Sequence, residues 1–505
     1  MFNSDKRTFA QNSFLNFFTH LFSIIISFVC VPYLILKLGT DTIGLLSILW
    51  LIIGYFSLFD IGLGQATTKF LSEHFAKGER QGALKLFFSS LQLSSLFGLL
   101  GFVVMFVFSY IGLEEIINID SSLQDGAKVS LQLLAIGIPA VIIQGTLRAI
   151  PLANNRFDVV NIVQIVNVLL QWVGSATIVY FGGGLISVIL LTVITRYCTL
   201  LFYFWFAFTV FPEMKILRMF SDSNHSAQLL RFGGWVTVAQ IISPLILFLE
   251  RMFIGKLGSL SSVTYFIIPS DAIMKLVIFP MSIASTLLPT ISGYWISDEG
   301  RGRSSIIFQG AVKITYILFL PISVILIIFY KEILFFWLGN DFVEKSGFVL
   351  LLFSIGIFFH SLAQLPNAML QAVGKPDIIA KLLLIELPLY AIVCYLLTKE
   401  YGIIGTSISW LLRVLVETVV LFISTNRILK KHLSQFNFSY LWKSILFVLI
   451  GGYVLTLGKL YISGMFLEIT AIMFFLILYV LSIWFFVFEE QEKIFIKQLK
   501  SVIVF

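Results

Sequence analysis

The sequence predicts an all-α integral membrane protein with about fourteen transmembrane helices, and three observations carry that reading. Of 505 residues, 58% are hydrophobic and only 12% charged, with 52 Phe spread along the whole chain. Mean hydropathy is +0.98. Apolar runs of about 20 residues, enough to cross a hydrocarbon layer about 30 Å thick, recur from one end to the other. A soluble chain of this length cannot bury that much apolar surface. The composition therefore excludes a cytosolic enzyme, a nucleic-acid-binding module and a disordered scaffold. The short alternating segments of a β-barrel are absent, which leaves helices.

The runs place spans at about 13–36, 43–66, 84–111, 129–152, 159–181 and 185–211, then, after a more polar stretch, at 230–250, 262–290, 314–338, 347–371, 378–398 and 403–425. Two more fall at about 441–461 and 465–488. Lys6 and Arg7 precede the first run without a small-residue cleavage pattern, so it reads as an uncleaved first helix. Loops on the side of the N-terminus hold Lys69, Lys77, Arg80, Lys85, Arg156, Arg301, Arg303, Lys375 and Arg427. The opposite loops are poorer in bases, and loop 112–128 is acidic, with Glu114, Glu115, Asp120 and Asp125. The positive-inside rule then puts both termini in the cytoplasm and explains the net charge of +7 as basic loops. Cys30, Cys198 and Cys394 lie far apart in apolar stretches, with no metal or redox spacing. Loops on both faces are too short to form a catalytic domain, so the protein reads as a non-enzyme that works through its helices.

The chain also repeats itself. Lys37-Leu38-Gly39 recurs as Lys256-Leu257-Gly258, an offset of 256 − 37 = 219. The same offset relates Gly137 to Gly356, Ala149 to Ala368, Arg156 to Lys375, Asp158 to Asp377 and Gly183 to Gly402. Six spans per repeat keep both copies in one orientation, related by an axis along the membrane normal. The domains expected are an N-lobe at 1–220, a C-lobe at 221–435, and two added spans with a charged tail at 436–505. Two matched six-helix lobes suit alternating access.

An ionisable residue at the centre of a span costs at least about 2.5–3.5 kcal/mol on insertion scales, so it faces a bundle interior or a wet cavity. Arg196, Lys275 and Arg413 fall near mid-depth, and 413 − 196 = 217 puts two of them on equivalent spans. Arg148 lies nearer the inner end of its span and Arg251 at an outer end. Asp271 precedes Lys275 by four residues and Glu417 follows Arg413 by four, so each pair shares a helix face and reads equally well as a structural ion pair. Arg196 has no close acid in its own helix. Asp60, Glu386 and His20 complete the set of candidate coupling or charge-pairing residues, with protons or sodium as the ion. A cavity with several cations suits an anionic substrate, because arginine meets phosphate with a planar donor fork. Pro269 and Pro280 bracket Asp271 and Lys275, which marks span eight as the cavity-lining helix best placed to move. Phosphate-binding glycine loops, HExxH and paired CxxC motifs are absent, as is a nucleotide-binding domain, so neither a metal nor another cofactor is expected.

The runs "VPYLILKLGTDTIGLLSI" (31–48), "FDIGLGQATTKFLSEHFAKGE" (59–79), "LRAIPLANNRFDVVNIVQI" (147–165), "LERMFIGKLGSLSSVTYFIIPSDAI" (249–273) and "LPNAMLQAVGKPDIIAKLL" (365–383) resemble the Wzx-type oligosaccharide flippases. These belong to a superfamily shared with multidrug extruders and lipid II flippases. The resemblance implies two lobes set in a V in the bacterial inner membrane. It implies passage of an undecaprenyl-pyrophosphate-linked repeat unit of O-antigen or capsule to the outer leaflet, with a polymerase and a chain-length regulator as pathway partners. It brings no fixed set of binding residues, so the candidate site rests on depth and charge. A lipid II flippase and a cation-coupled drug extruder are the alternatives within the superfamily. A membrane polymerase or ligase is the alternative outside it.

Overall fold

A computed structural model describes residues 2–58, 63–154, 156–211, 245–295, 297–429, 439–461 and 465–487. Among them there is no strand. The helices are α1 (Phe2–Leu38), α2 (Thr40–Leu58), α3 (Leu63–Lys77), α4 (Arg80–Ile111), α5 (Ser121–Ala153), α6 (Phe157–Tyr180), α7 (Leu185–Val210), α8 (245–257) and α9 (Leu260–Tyr294). They continue as α10 (Asp298–Ile328), α11 (Tyr330–Leu338), α12 (Asn340–Ala372), α13 (Pro376–Leu429), α14 (Ser439–Tyr461) and α15 (Met465–Ser482). Among the described residues nine helices are long and apolar enough to span a membrane, with shorter apolar helices beside them. Large apolar side chains such as Leu99, Leu100, Val103, Leu449, Ile450 and Tyr453 stand exposed, as a lipid-facing surface requires. The protein is an integral, multi-pass membrane protein.

Several boundaries differ from those read off the sequence. The expected span 314–338 is two helices: α10 begins at Asp298, where Ser297 Oγ accepts the Gly300 N–H, and ends at Ile328. The nine residues of α11 are apolar enough to prolong the hydropathy run past that break. The acidic loop 112–128 is shorter than expected, because α5 starts at Ser121 and Leu113–Glu115 form a 3-10 turn. The spans expected at 378–398 and 403–425 are the two arms of α13, which bends at Gly402 with φ 57° and ψ −138°. That left-handed φ suits glycine.

Proline and glycine decide where helices break or touch. Pro280 has no N–H to donate to the carbonyl four residues earlier, and its ring presses on that turn. The α-ladder of α9 gives way just before it to a 3-10 turn at Lys275–Val277. Helix α6 opens into a π-turn at Leu170–Gly174.

The chain divides into two compact units, Met1–Ile268 with Leu387–Thr406, and Pro269–Glu386 with Ser407–Phe505. In the first, α4 lies close on α5: a Cβ at Gly98 would stand 3.0 Å from Pro139 Cα. Hydroxyls join α3 to α4 and α4 to α5, with Thr67 bonded to Ser90 at 2.5 Å and Ser94 bonded to Thr146. Small residues that let backbones approach, and buried hydroxyl pairs, are how helices associate in lipid. In the second unit α14 and α15 pack Val448, Leu455, Phe475 and Tyr479 against Phe329. Lys459 Nζ donates to Glu332 Oε2 (2.9 Å) and to the Ile328 carbonyl (2.8 Å), fixing α14 at the end of α10.

The repeat is visible in one contact made twice. Gly137 of α5 faces Val193 of α7, and Gly356 of α12 faces Trp410 of α13. The glycines differ by 219 and their partners by 410 − 193 = 217. The second contact is the tighter, since a Cβ at Gly356 would fall on the Trp410 ring. Gly356→Ala should therefore lower thermal stability in detergent by about 1–3 kcal/mol, whereas Gly310→Ala, which meets nothing within 4 Å, should leave it unchanged or raise it slightly.

Candidate functional site

Two polar places interrupt the apolar spans, one in each unit. In the first unit Arg196 lies 196 − 185 = 11 residues into α7, about 16 Å along the helix axis. It shares a face with Thr192 and Thr199, one turn to either side. Thr192 Oγ1 accepts from Trp50 Nε1 (3.2 Å), and Trp50 meets Trp172 of the π-turn edge-on at 5.4 Å. Thr199 Oγ1 donates to Asn167 Oδ1 (2.7 Å). The neighbours of Arg196 are thus satisfied among themselves, while its own Nε is buried and has no hydrogen-bond partner among the described residues. A donor left in that state costs about 1–3 kcal/mol, more for a charged group, unless a ligand or water meets it.

In the second unit the two arms of α13 and α12 bring four groups together. Arg413 Nη1 donates to Glu417 Oε2 at 3.3 Å, with side chains 11% and 13% exposed. Glu386 lies on the other arm, 386 − 376 = 10 residues in, and is 8% exposed. It lies in the field of both Arg413 and Glu417, yet neither of its carboxyl oxygens has a hydrogen-bond partner among the described residues. His360 of α12 lies in the field of Arg413, with its ring 6.3 Å from Trp410, which stacks on Phe353 at 4.0 Å. Gln364 Nε2 donates to His360 Nε2 at 3.3 Å, and Nδ1 is buried with no partner among the described residues.

The other candidates lie elsewhere. Lys275 begins the 3-10 turn of α9, with exposed Asp271 one turn earlier acting on it electrostatically. Arg148 is exposed on α5. Arg251 Nη1 donates to the Ser47 carbonyl (3.1 Å) and so ties α8 to α2. Asp60 and the side chain of His20 lie outside the described residues.

Sequence reasoning missed two acceptors of consequence. His360 sits alone in the run "SIGIFFHSLAQLP", and an isolated polar residue in an apolar span is the signal that could have found it. Glu250, next to Arg251, is buried and accepts a short hydrogen bond from Tyr390 Oη, 140 residues away in the chain. Only the folded contact reveals that pairing. Past it along α13, Thr398 and Thr406 share a hydrogen bond of 2.8 Å.

The two repeat-related turns also meet within the first unit. The Ser261 N–H donates to Asp41 Oδ1 (2.8 Å), and Thr264 Oγ1 donates to the Thr40 carbonyl (2.6 Å). Asn118 Nδ2 donates to the carbonyls of Lys256 (2.9 Å) and Gly258 (3.2 Å). Gly44 has no room for a side chain, since a Cβ there would collide with the Leu260 carbonyl. The ends of α1, α2, α8 and α9 are stitched together by backbone as much as by side chains.

Apolar helices long enough to cross the bilayer, broken at glycines and prolines around a few buried charges, define a polytopic helical membrane protein. Comparison with known proteins narrows this. A family model described as polysaccharide biosynthesis protein matches residues 9–295, and the chain belongs to that family. It is 26% identical over 411 residues to a Shigella flexneri protein provisionally named an O-antigen transporter, covering 81% of this chain and 96% of that one. Its fold is similar to that of the lipid II flippase MurJ in an inward closed conformation, with TM-score 0.71, 14% identity, and coverage of 97% of this chain and 99% of that chain. It is also similar to an inward-facing multidrug resistance MATE transporter of the MOP superfamily, with TM-score 0.67 and 15% identity over 82% of this chain and 94% of that chain. These findings agree with the resemblance to Wzx-type flippases.

Arg413 serves two carboxyls, so its loss should cost more than the loss of either acid. Arg413→Met should lower stability by about 3–5 kcal/mol, as removing one partner of a buried pair does, and Glu417→Gln by clearly less. Thermal unfolding of the purified variants checks the order.

Proposed function

We propose that this protein is a flippase that carries undecaprenyl-pyrophosphate-linked oligosaccharide repeat units from the inner to the outer leaflet of a bacterial inner membrane. On this reading both termini are cytoplasmic. Lobes at 1–220 and 221–435 open alternately to the two sides, and spans beyond 436 are an addition. A polymerase and a chain-length regulator would act on the delivered unit outside.

The observation that carries the reading is Arg196. A mid-span guanidinium whose Nε is buried with no partner among the described residues, beside hydroxyls already engaged, suits an anion as ligand. Pyrophosphate supplies pairs of oxygens spaced to meet the planar donor fork of arginine. The sugars would pass through the wet cleft while the polyprenyl tail remains in lipid. Lys275 would add positive potential along the way, and Arg148 would meet the headgroup near the cytoplasmic entrance. Membership of a polysaccharide biosynthesis family supports this cargo over a drug, as does the provisional name of the Shigella relative.

The contact between the repeat-related turns supports alternating access. By the loop charges those turns face outward, so the bonds from Asp41 to Ser261 and from Thr40 to Thr264 would hold the exit side shut. The bonds are few enough to break and re-form within a transport cycle.

The test is complementation in a host lacking its own repeat-unit flippase but making the matching glycan. The wild-type protein should restore surface polysaccharide. Arg196→Ala should lower it by about tenfold or more at equal membrane abundance, since a hydrogen bond to a charged group is worth about 1.5–3 kcal/mol. Full activity of Arg196→Ala would remove Arg196 from the path. No rescue by the wild type would overturn the flippase reading.

A further inference from the structure

The group around Glu386 has a charge balance that the anion-carrying reading does not use. Arg413 contributes one positive charge, and Glu417 and Glu386 contribute two negative charges when both are ionised. Arg413 already donates to Glu417. Glu386 is therefore the surplus acid: 8% exposed, with both oxygens lacking a hydrogen-bond partner among the described residues. An isolated buried carboxylate is among the most costly groups a membrane interior can hold, and one added proton removes its charge.

The repeat sharpens the contrast. The offset of 219 carries Glu386 back to Asn167, and 217 carries Glu417 back to Leu200. At these positions the duplicated frame holds one cation in the first copy, Arg196, and one cation with two acids in the second.

We propose that Glu386 is a proton-binding site, protonated in one state of the transport cycle and ionised in another, with Arg413 and Glu417 as the charges that set the balance. This rests on the flippase reading for its role in coupling, though not for the binding itself. The groups facing it are known. On its own helix Arg413 and Glu417 act on it. From α12 comes His360, whose Nε2 accepts from Gln364, leaving the neutral ring's proton on Nδ1. A proton on that ring would add a second positive charge near Arg413, whereas a proton on the carboxylate removes a charge. The helices packed against α12 carry Lys275 and Asp271 on α9, Lys313 and Tyr316 on α10, and Lys331 and Glu332 on α11. A metal cation fits less well than a proton: the arginine repels it, and among the described residues no group of three His, Cys, Asp or Glu could hold one.

The step is a simple acid–base exchange. The Glu386 carboxyl binds a proton from water on one side and releases it to water on the other, with no covalent change. When protonated, the cluster is neutral. When ionised, it carries one net negative charge and draws Arg413 from Glu417 toward Glu386.

The experiment is infrared difference spectroscopy on the full-length protein in nanodiscs, comparing about pH 5 with about pH 9 and reading the C=O stretch of protonated carboxyl groups. Wild type should show a protonated-carboxyl band that Glu386→Gln removes, that Glu386→Asp moves rather than removes, and that Glu417→Gln retains. An unchanged band in Glu386→Gln would overturn the site, whatever the protein transports. A band abolished at fixed pH by sodium chloride, though not by choline chloride, would overturn the proton in favour of sodium. In vesicles, Glu386→Gln should lose dependence of flipping on an imposed pH gradient, and retained dependence would overturn the coupling role. Failure of the flippase reading would instead appear as no flipping in the wild type, with the infrared band intact.

Discussion

Charge inside a hydrocarbon layer must be answered by an opposite charge, a hydrogen bond or water, and this requirement organises the protein. Most of its charged residues escape the problem by lying in loops and the end turns of helices. The few that remain within the spans were answered in different ways. Arg251 meets a backbone carbonyl, Arg413 meets Glu417, and Glu250 meets a tyrosine hydroxyl. Arg196 and Glu386 each keep buried polar atoms unanswered by the described residues, one of each sign. Such groups persist in a protein where something that comes and goes completes them.

The helix set was legible because hydropathy reports what lipid demands of a span. Gly39, Gly258 and Gly402 were visible as breaks in the repeat, and the structure turns the chain at each. Pro280 was visible as a fault in span eight, and the helix loosens to a 3-10 turn immediately before it. Helix ends were less legible. The apolar α11 reads as more of α10, and the polar first turns of α10 and α5 read as loop, since hydropathy records the lipid layer and not the helix.

The site was legible only in part, for a reason of the same kind. Spacing of four residues on one helix foretold the contact of Arg413 with Glu417. It could not show that Glu386, 27 residues before Arg413, returns to the same place across the bend at Gly402, or that His360 lies nearby. Nor could it separate Arg251, occupied by the Ser47 carbonyl, from Arg196, whose Nε has no partner among the described residues. Depth is written in the sequence, but the face of a helix and the partner across from it are settled by packing. The duplication gives a frame for both sites: equivalent glycine contacts fix α5 to α7 and α12 to α13, and the polar residues on that frame then differ between the copies.

The central claim is that Arg196 faces a water-filled path used by a pyrophosphate-bearing lipid. The direct measurement is labelling of Arg196→Cys by a small charged thiol reagent, in a protein with Cys30, Cys198 and Cys394 replaced. Labelling is expected to be rapid, slowed by a short-chain polyprenyl pyrophosphate and not by the matching polyprenol. A cysteine at 196 that stays unlabelled while one at an exposed loop position reacts, or labelling indifferent to the pyrophosphate, would contradict it.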